Sequence, residues 1–237
     1  MKKGIAIPLF VISCLFSFSA TAQTVEEIIQ KVRAKLDKVN DYEAKGKMKT
    51  NVVFIKAPVA SVKVYYKKPG KLKIINESGI SFIPKGSVNI NISNIFTNTT
   101  GFDMIDAGKE SGTNFRIIKL LPKDENAEIV LSTLYIDEML FLIRRSKTTT
   151  KENGTYELEM TYGKYAEYGL AEKVIFSFNT KEYKLPKGVS FDYDDGTKKG
   201  QGTGKPGSNT AKNKKGKVEI SYSNYIINKG VPDSVFQ

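Results

Sequence analysis

The stretch TVEEIIQKVRAKLDKVNDYEAKGKMKTNVVF, residues 24–54, decides the fold because its hydrophobic period changes in the middle. The first half opens with Thr24 and Glu27 at the spacing of a capping box, which marks the start of a helix. Apolar residues then follow at helical spacing: Val25, Ile28, Ile29, Val32, Leu36 and Val39. The pattern predicts an amphipathic helix of about four turns, whose apolar stripe must cover another part of the fold.

From Asp41 onward the hydrophobic period of the chain shortens to two residues. Tyr42, Ala44, Gly46, Met48, Thr50 and Val52 alternate with charged or amide residues. Such alternation is typical of a β-strand with one wet face and one face that is dry or faces a ligand.

The same alternation recurs through the rest of the chain. We expect further strands at residues 62–66, 72–74, 88–92, 115–121, 129–136, 140–145, 156–162, 173–179, 188–193 and 217–225. About ten or eleven strands in a row, joined mostly by short turns, favour a single antiparallel meander. One helix before one large, curled antiparallel sheet is an α+β arrangement.

Two segments interrupt the alternation. Residues 97–113 are polar with an apolar patch at Phe102, Met104 and Ile105, and we expect a loop or a short helix that crosses the sheet. Residues 194–217 are rich in Gly, Lys, Asn and Ser and predict a long flexible hairpin loop. The lysines of this loop form a dense basic cluster, which either docks on an acidic surface or is a solvated insertion.

The composition excludes whole classes of chemistry. The 237 residues contain no His, no Trp and one Cys, Cys14, so the chain cannot build a His-assisted triad, a His-ligated metal site or a disulfide framework. We find no other catalytic constellation, and the sequence predicts a protein that is not an enzyme and uses no metal or cofactor. The net charge of +12 comes almost entirely from Lys. It favours transient contact with an anionic membrane surface, or a plain solvated surface, over binding of nucleic acid.

Residues 1–22 have the pattern of a secretory signal peptide that is cleaved after Ala22. Two lysines precede an apolar segment at 5–18, and the tripeptide ATA at 20–22 is a cleavage signal. The apolar segment is shorter than the roughly 20 residues that span a bilayer. A lipoprotein signal with Cys14 as the acylated residue is the weaker alternative. Cleavage leaves residues 23–237 as a single domain that carries the loop at 194–217.

The inward side of the predicted sheet is rich in Tyr, Phe, Met and Ile, and one helix can cover only part of it. Either the sheet closes and fills its interior, or it stays a half-barrel with an apolar cavity for a guest such as an acyl chain. The candidate cavity residues lie on the helix stripe and at inward strand positions: Val25, Ile29, Val32, Leu36, Tyr42, Met48, Val52, Val64, Tyr66, Leu72, Ile74, Tyr156, Met160, Phe176, Phe178, Phe191 and Tyr222.

Five segments, taken in order, resemble a known family. They are VRAKLDKVNDYEA at 32–44, YYKKPGKLK at 65–73, LYID at 134–137, KLPKGV at 184–189 and NKGVPDSVF at 228–236. Their order and spacing, over nearly the whole chain after residue 22, resemble those of the outer-membrane lipoprotein carrier (LolA) family and of LolA-like sorting proteins.

The resemblance implies a periplasmic half-barrel with a helical lid that shields the acyl chains of lipoproteins or lipid on the way to the outer membrane. It also implies an inner-membrane release complex and an outer-membrane acceptor as partners. Lys68 stands where the family has an Arg before the turn proline, and it keeps the charge without the bidentate fork. Lys68 is therefore the candidate gating or partner-binding residue. The alternative is a LolA-like envelope sensor or scaffold that binds protein partners without carrying lipid.

Overall fold

In a computed structural model of the protein, the described residues are 23–52, 55–56, 59–78, 101–152, 154–179 and 215–237. The signal peptide predicted at 1–22, the strands expected at 88–92 and 188–193, and most of the loop expected at 194–217 lie outside these ranges. Within them, no helix is long and apolar enough to cross a membrane.

The described chain folds as one helix followed by eleven strands. The elements are α1 (Val25–Leu36), β1 (Asp41–Val52), β2 (Ile55–Lys56), β3 (Ala60–Lys67), β4 (Lys71–Ser78), β5 (Phe102–Lys109), β6 (Phe115–Pro122), β7 (Ile129–Asp137), β8 (Leu142–Thr150), β9 (Gly154–Thr161), β10 (Lys173–Asn179) and β11 (Lys215–Ile227). Two short 3₁₀ helices span Ala166–Tyr168 and Asp233–Phe236.

The strands form one antiparallel sheet in the order β4-β3-β1-β11-β10-β9-β8-β7-β6-β5, with β2 paired beside β1. The two edges are β4 and β5, and no pairing within the described ranges joins them. The sheet is therefore a curled half-barrel under a helix, which confirms the α+β prediction. The prediction of a single meander was wrong, because two meanders meet where β1 pairs with β11. Alternation marks each strand, but it does not say which strands become neighbours.

The segment expected to be a loop or a short helix is in part the edge strand β5. It pairs with β6 from Phe102 opposite Pro122 to Lys109 opposite Arg116, and the pairing is irregular after Asp106. The polar side chains of Asp103, Asp106 and Lys109 are exposed, and charged side chains are common on edge strands. This is why a polar sequence is compatible with a strand here.

The helix begins as the sequence predicts. The Thr24 hydroxyl accepts a hydrogen bond from the Glu27 backbone N–H at 3.2 Å, and the Glu27 carboxylate accepts one from the Thr24 N–H at 3.3 Å. The helix ends at Leu36, so it has about three turns rather than four. Its buried stripe (Val25, Ile28, Ile29 and Val32) packs on the inner face of the sheet as part of the hydrophobic core.

Candidate functional site

An apolar cavity of about 200 Å³ lies between the C-terminal half of α1 and the inner face of the sheet. The predicted residues that line it are Val32, Leu36, Tyr42, Met48, Val64, Tyr66, Leu72, Ile74, Met160, Phe176 and Tyr222. They come from the helix and from both meanders, and the pairing of β1 with β11 brings the two meanders together.

Other predicted residues are buried around the cavity rather than on its wall. Val25 and Ile29 lie under the N-terminal half of α1, away from the cavity. Tyr156 and Phe178 pack against the ring of Phe176, with ring centres 5.6 and 5.2 Å away. Tyr156 and Phe178 therefore support the wall without forming it, whereas Val25 and Ile29 belong to the core outside the cavity. The side chain of Val52 and all of Phe191 lie outside the described residues.

Two turns contribute wall residues that the sequence analysis did not select. One carries Phe141 to the start of β8, and the other runs from Tyr168 to Ala171 after the first 3₁₀ helix. Gly169 has a φ of +66°, and a Cβ there would lie 2.9 Å from the Leu36 side chain. Glycine therefore permits this turn to close against the helix. A usable signal was present, because YAEYGLA at 165–171 is unusually aromatic and apolar for a turn.

A group of tyrosines forms one side of the cavity. The Tyr42 ring stacks on that of Tyr66, with centres 5.3 Å apart, and meets the edge of Tyr225 at 5.3 Å. Tyr222 lies 5.2 Å from Tyr225. A register shift in the β1–β11 pairing, opposite Gly46, places Asn224 and Tyr222 against consecutive residues of β1. This bulge turns both Tyr222 and Tyr225 inward, although they are three residues apart.

Two of the buried tyrosines fasten the turns to the sheet. The Tyr225 hydroxyl donates to the Ala171 carbonyl oxygen at 2.7 Å, and the Tyr162 hydroxyl donates to the Ile143 carbonyl oxygen at 2.9 Å. Burial raises the pKa of both phenols far above the ordinary value. They are therefore neutral hydrogen-bond donors, and the turns that they hold are fixed parts of the cavity wall.

Lys68 ties the end of α1 to the turn between β3 and β4. Its ammonium group donates to the Asp37 carbonyl oxygen at 3.0 Å and to the Asp37 carboxylate at 3.3 Å. Asn228 adds a second tie, because its amide donates to the Lys38 carbonyl oxygen at 2.7 Å and accepts from the Asn40 N–H at 2.7 Å. Both ties act at the helix end that covers the cavity.

The turn between β7 and β8 has apolar residues that face solvent and an apolar residue that faces the cavity. Met139 is 77% exposed and Leu140 is 47% exposed, whereas the next residue, Phe141, lines the cavity. The Lys31 ammonium lies 4.5 Å from the centre of the Phe141 ring. This turn therefore joins an exposed apolar surface to the cavity wall beside a lysine.

The wall of the cavity is apolar and phenolic. All of the side chains that line the cavity in the described part of the chain are apolar or tyrosine, so no ionised group forms part of the wall there. The described residues also contain no group of three or more acidic or Cys side chains that could hold a metal ion. The cavity can hold an apolar chain and offer it phenol hydroxyls.

Comparison with solved structures identifies the fold as LolA-like. A domain from Vibrio parahaemolyticus, described as an outer membrane lipoprotein-sorting protein, aligns with a TM-score of 0.56 at 9% identity over 89% of this chain and 95% of its own. A LolA superfamily protein from Nitrosomonas europaea aligns with a TM-score of 0.54 at 9% identity, over 91% and 98%. A DUF1329 family protein from Desulfovibrio piger aligns with a TM-score of 0.52 at 12% identity, over 91% and 98%.

Comparisons of sequence alone do not detect this similarity. No sequence family matches the chain, and no curated protein matches it. At identities of 9–12% the similarity establishes the fold alone. The resemblance to LolA that the sequence suggested is confirmed at that level.

Proposed function

We propose that this protein is a periplasmic carrier that shields the acyl chains of lipoproteins or lipids and delivers them toward the outer membrane. The observation that carries the proposal is the cavity of about 200 Å³ with an apolar and tyrosine wall inside a LolA-like half-barrel. Native cores rarely leave voids larger than a water molecule. An apolar void of this size is therefore a site for an apolar guest.

The cavity as it stands holds part of one acyl chain. A cavity of about 150 Å³ accepts a benzene molecule, so one of about 200 Å³ has room for roughly eight carbon atoms. Each methylene group that enters contributes about 0.8 kcal/mol. A longer chain must displace α1 or extend beyond the cavity, and we assign α1 the role of a lid.

The ties at the end of the lid are suited to reversible opening. Lys68 and Asp37 are 29% and 52% exposed, so their ion pair contributes no more than about 1 kcal/mol. Breaking it is a small cost beside the gain from burying several methylene groups. We assign Lys68 the role of a gating residue that holds the lid closed until a guest or partner displaces it.

Delivery requires contact with a membrane or with a membrane-bound partner. The exposed pair Met139 and Leu140 lies next to a wall residue of the cavity, and the net charge of +12 favours an anionic surface. We assign this turn to transient contact with the membrane. An inner-membrane release complex and an outer-membrane acceptor would be the partners on either side.

The contact is tested by flotation with anionic vesicles. Replacing Met139 and Leu140 by Ser is expected to reduce the bound fraction. Val130→Ser, at a residue 47% exposed on β7, is the matched control and should leave binding unchanged. Equal binding of all three proteins would contradict the assignment of this turn.

The carrier function is tested by native mass spectrometry of residues 23–237 purified from the periplasm, followed by lipid extraction. We expect acylated species to copurify at near one per protein. A clean mass without ligand, together with no binding of an added acyl probe, would contradict the carrier function. It would favour the alternative of an envelope scaffold that binds protein partners.

A further inference from the structure

Two tyrosines on the cavity wall, Tyr42 and Tyr222, differ from Tyr162 and Tyr225 in making no hydrogen bond through their hydroxyls within the described residues. The Tyr162 hydroxyl donates to the Ile143 carbonyl oxygen of β8, and the Tyr225 hydroxyl donates to the Ala171 carbonyl oxygen of the adjoining turn. In the part of the chain that the structure describes, the hydroxyls of Tyr42 and Tyr222 bond to no other residue. Both side chains line the cavity.

Both side chains lie on the cavity wall, so we place their hydroxyls at the cavity. Tyr42 and Tyr222 each keep some accessible surface. Yet burial raises the pKa of Tyr222 to about 12 and that of Tyr42 well above its ordinary value, as expected for groups removed from bulk solvent. Since both side chains line the cavity, we take their accessible surface to be part of its wall. Both rings contact Tyr225, at 5.3 and 5.2 Å, so the two hydroxyls belong to one side of the wall.

When an apolar guest displaces water from the cavity, a hydroxyl left without an acceptor is costly, so this pair of donors calls for an acceptor that enters with the guest. The wall that surrounds them is apolar, and no cation lines the cavity in the described residues. An ionised carboxylate would lose its hydration there without a counter-charge. A neutral carbonyl oxygen has the acceptor and avoids that penalty.

We infer that Tyr42 and Tyr222 form a polar subsite that donates hydrogen bonds to the ester or amide carbonyl oxygen of an acyl group. The inference rests on the proposed function and specifies it, because it fixes which end of the acyl chain lies beside β1 and β11. The carbonyl can come from a lipid ester or from the acylated Cys of a lipoprotein, and the chemistry at the subsite is the same.

The test compares methyl decanoate with decyl methyl ether, which carry the same chain length and differ in the carbonyl oxygen. Both are titrated into the wild type, into Tyr42→Phe, Tyr222→Phe and the double variant, and into Tyr65→Phe. Tyr65 lies on the outer face of β3 and serves as the matched control. The measured quantity is the ratio of the ether Kd to the ester Kd in each protein, which cancels any general change in the cavity.

We expect this ratio to fall about tenfold from the wild type to the double variant, with intermediate values for the single variants, because two modest hydrogen bonds are lost. Tyr65→Phe should keep the wild-type ratio. The carbonyl stretch of bound ester should also lie at lower frequency in the wild type than in the double variant. A decanoylated cysteine peptide in the same titration tells a lipoprotein source from a lipid source by which of the two binds more tightly.

The failures of the two proposals are distinguishable. If both probes bind the wild type but the ratio is the same in all variants, the hydroxyls do not contact the carbonyl and the subsite is refuted, while the carrier function stands. If neither probe binds the wild type or Tyr65→Phe, the carrier function is refuted and the subsite with it.

Discussion

Filling the cavity with a larger side chain should block the guest without unfolding the protein. Val174 lines the cavity from the start of β10, where it pairs with Met160 of β9 and Ile220 of β11. Val174→Phe adds about four carbon atoms to a cavity with room for roughly eight. A guest that loses about four methylene contacts, at about 0.8 kcal/mol each, loses about 3 kcal/mol of binding free energy. The Kd should therefore rise about two hundredfold.

The assay is the titration of a fluorescent acyl probe, with urea unfolding of the same samples. Because the new ring fills a void, the free energy of unfolding without ligand should increase by about 0.5–2 kcal/mol. Val130→Phe makes the same substitution at an exposed position of β7 and should change neither quantity by much. A folded Val174→Phe that binds the probe with wild-type affinity would show that the guest does not occupy this cavity.

Three further outcomes are expected. Tyr225→Phe should lower the free energy of unfolding by about 1–2 kcal/mol because the Ala171 carbonyl oxygen loses its hydrogen-bond donor. Tyr42→Phe should change the free energy of unfolding by no more than about 0.5 kcal/mol. Urea unfolding measures both quantities. Lys68→Gln should speed acyl-probe entry about fivefold in stopped flow, since a tie of about 1 kcal/mol is lost, and an unchanged rate would exclude opening at this end. Burial raises the pKa of Tyr222 to about 12, so this phenol ionises at lower pH in the unfolded chain than in the folded protein. The free energy of unfolding should therefore fall by up to about 3 kcal/mol as the pH rises from about 10 to 12. Urea unfolding of Tyr222→Phe over the same pH range should lack that part of the loss.

Local patterns were sufficient wherever neighbouring residues decide the structure. The capping box at Thr24 places the start of α1, and alternation along the chain places the inward residues of β1 and β3, such as Met48 and Val64. A helix cap and a strand face depend on contacts within a few residues, so the sequence alone determined them. The order of five segments was also sufficient to indicate a LolA-like fold.

Local patterns failed where distant parts of the chain meet. The edge strand β5 was expected to be a loop or a short helix, since its pairing with β6 is visible only in the sheet. Alternation from Tyr222 points Tyr225 outward, but the bulge opposite Gly46 turns it inward. The turn at Tyr168–Ala171 reaches the cavity only because Gly169 lets it approach Leu36.

The amino-acid sequence by itself determined the helix, most of the described strands, the apolar inner face and the absence of His and Cys chemistry after residue 22. The tertiary structure decided which strands are neighbours, where the cavity lies and which tyrosine hydroxyls are already bonded. The physical reason is the range of the interactions. Hydrophobic periodicity and capping act within one turn or one strand, whereas a cavity is a gap among residues as far apart in the chain as Leu36 and Tyr225.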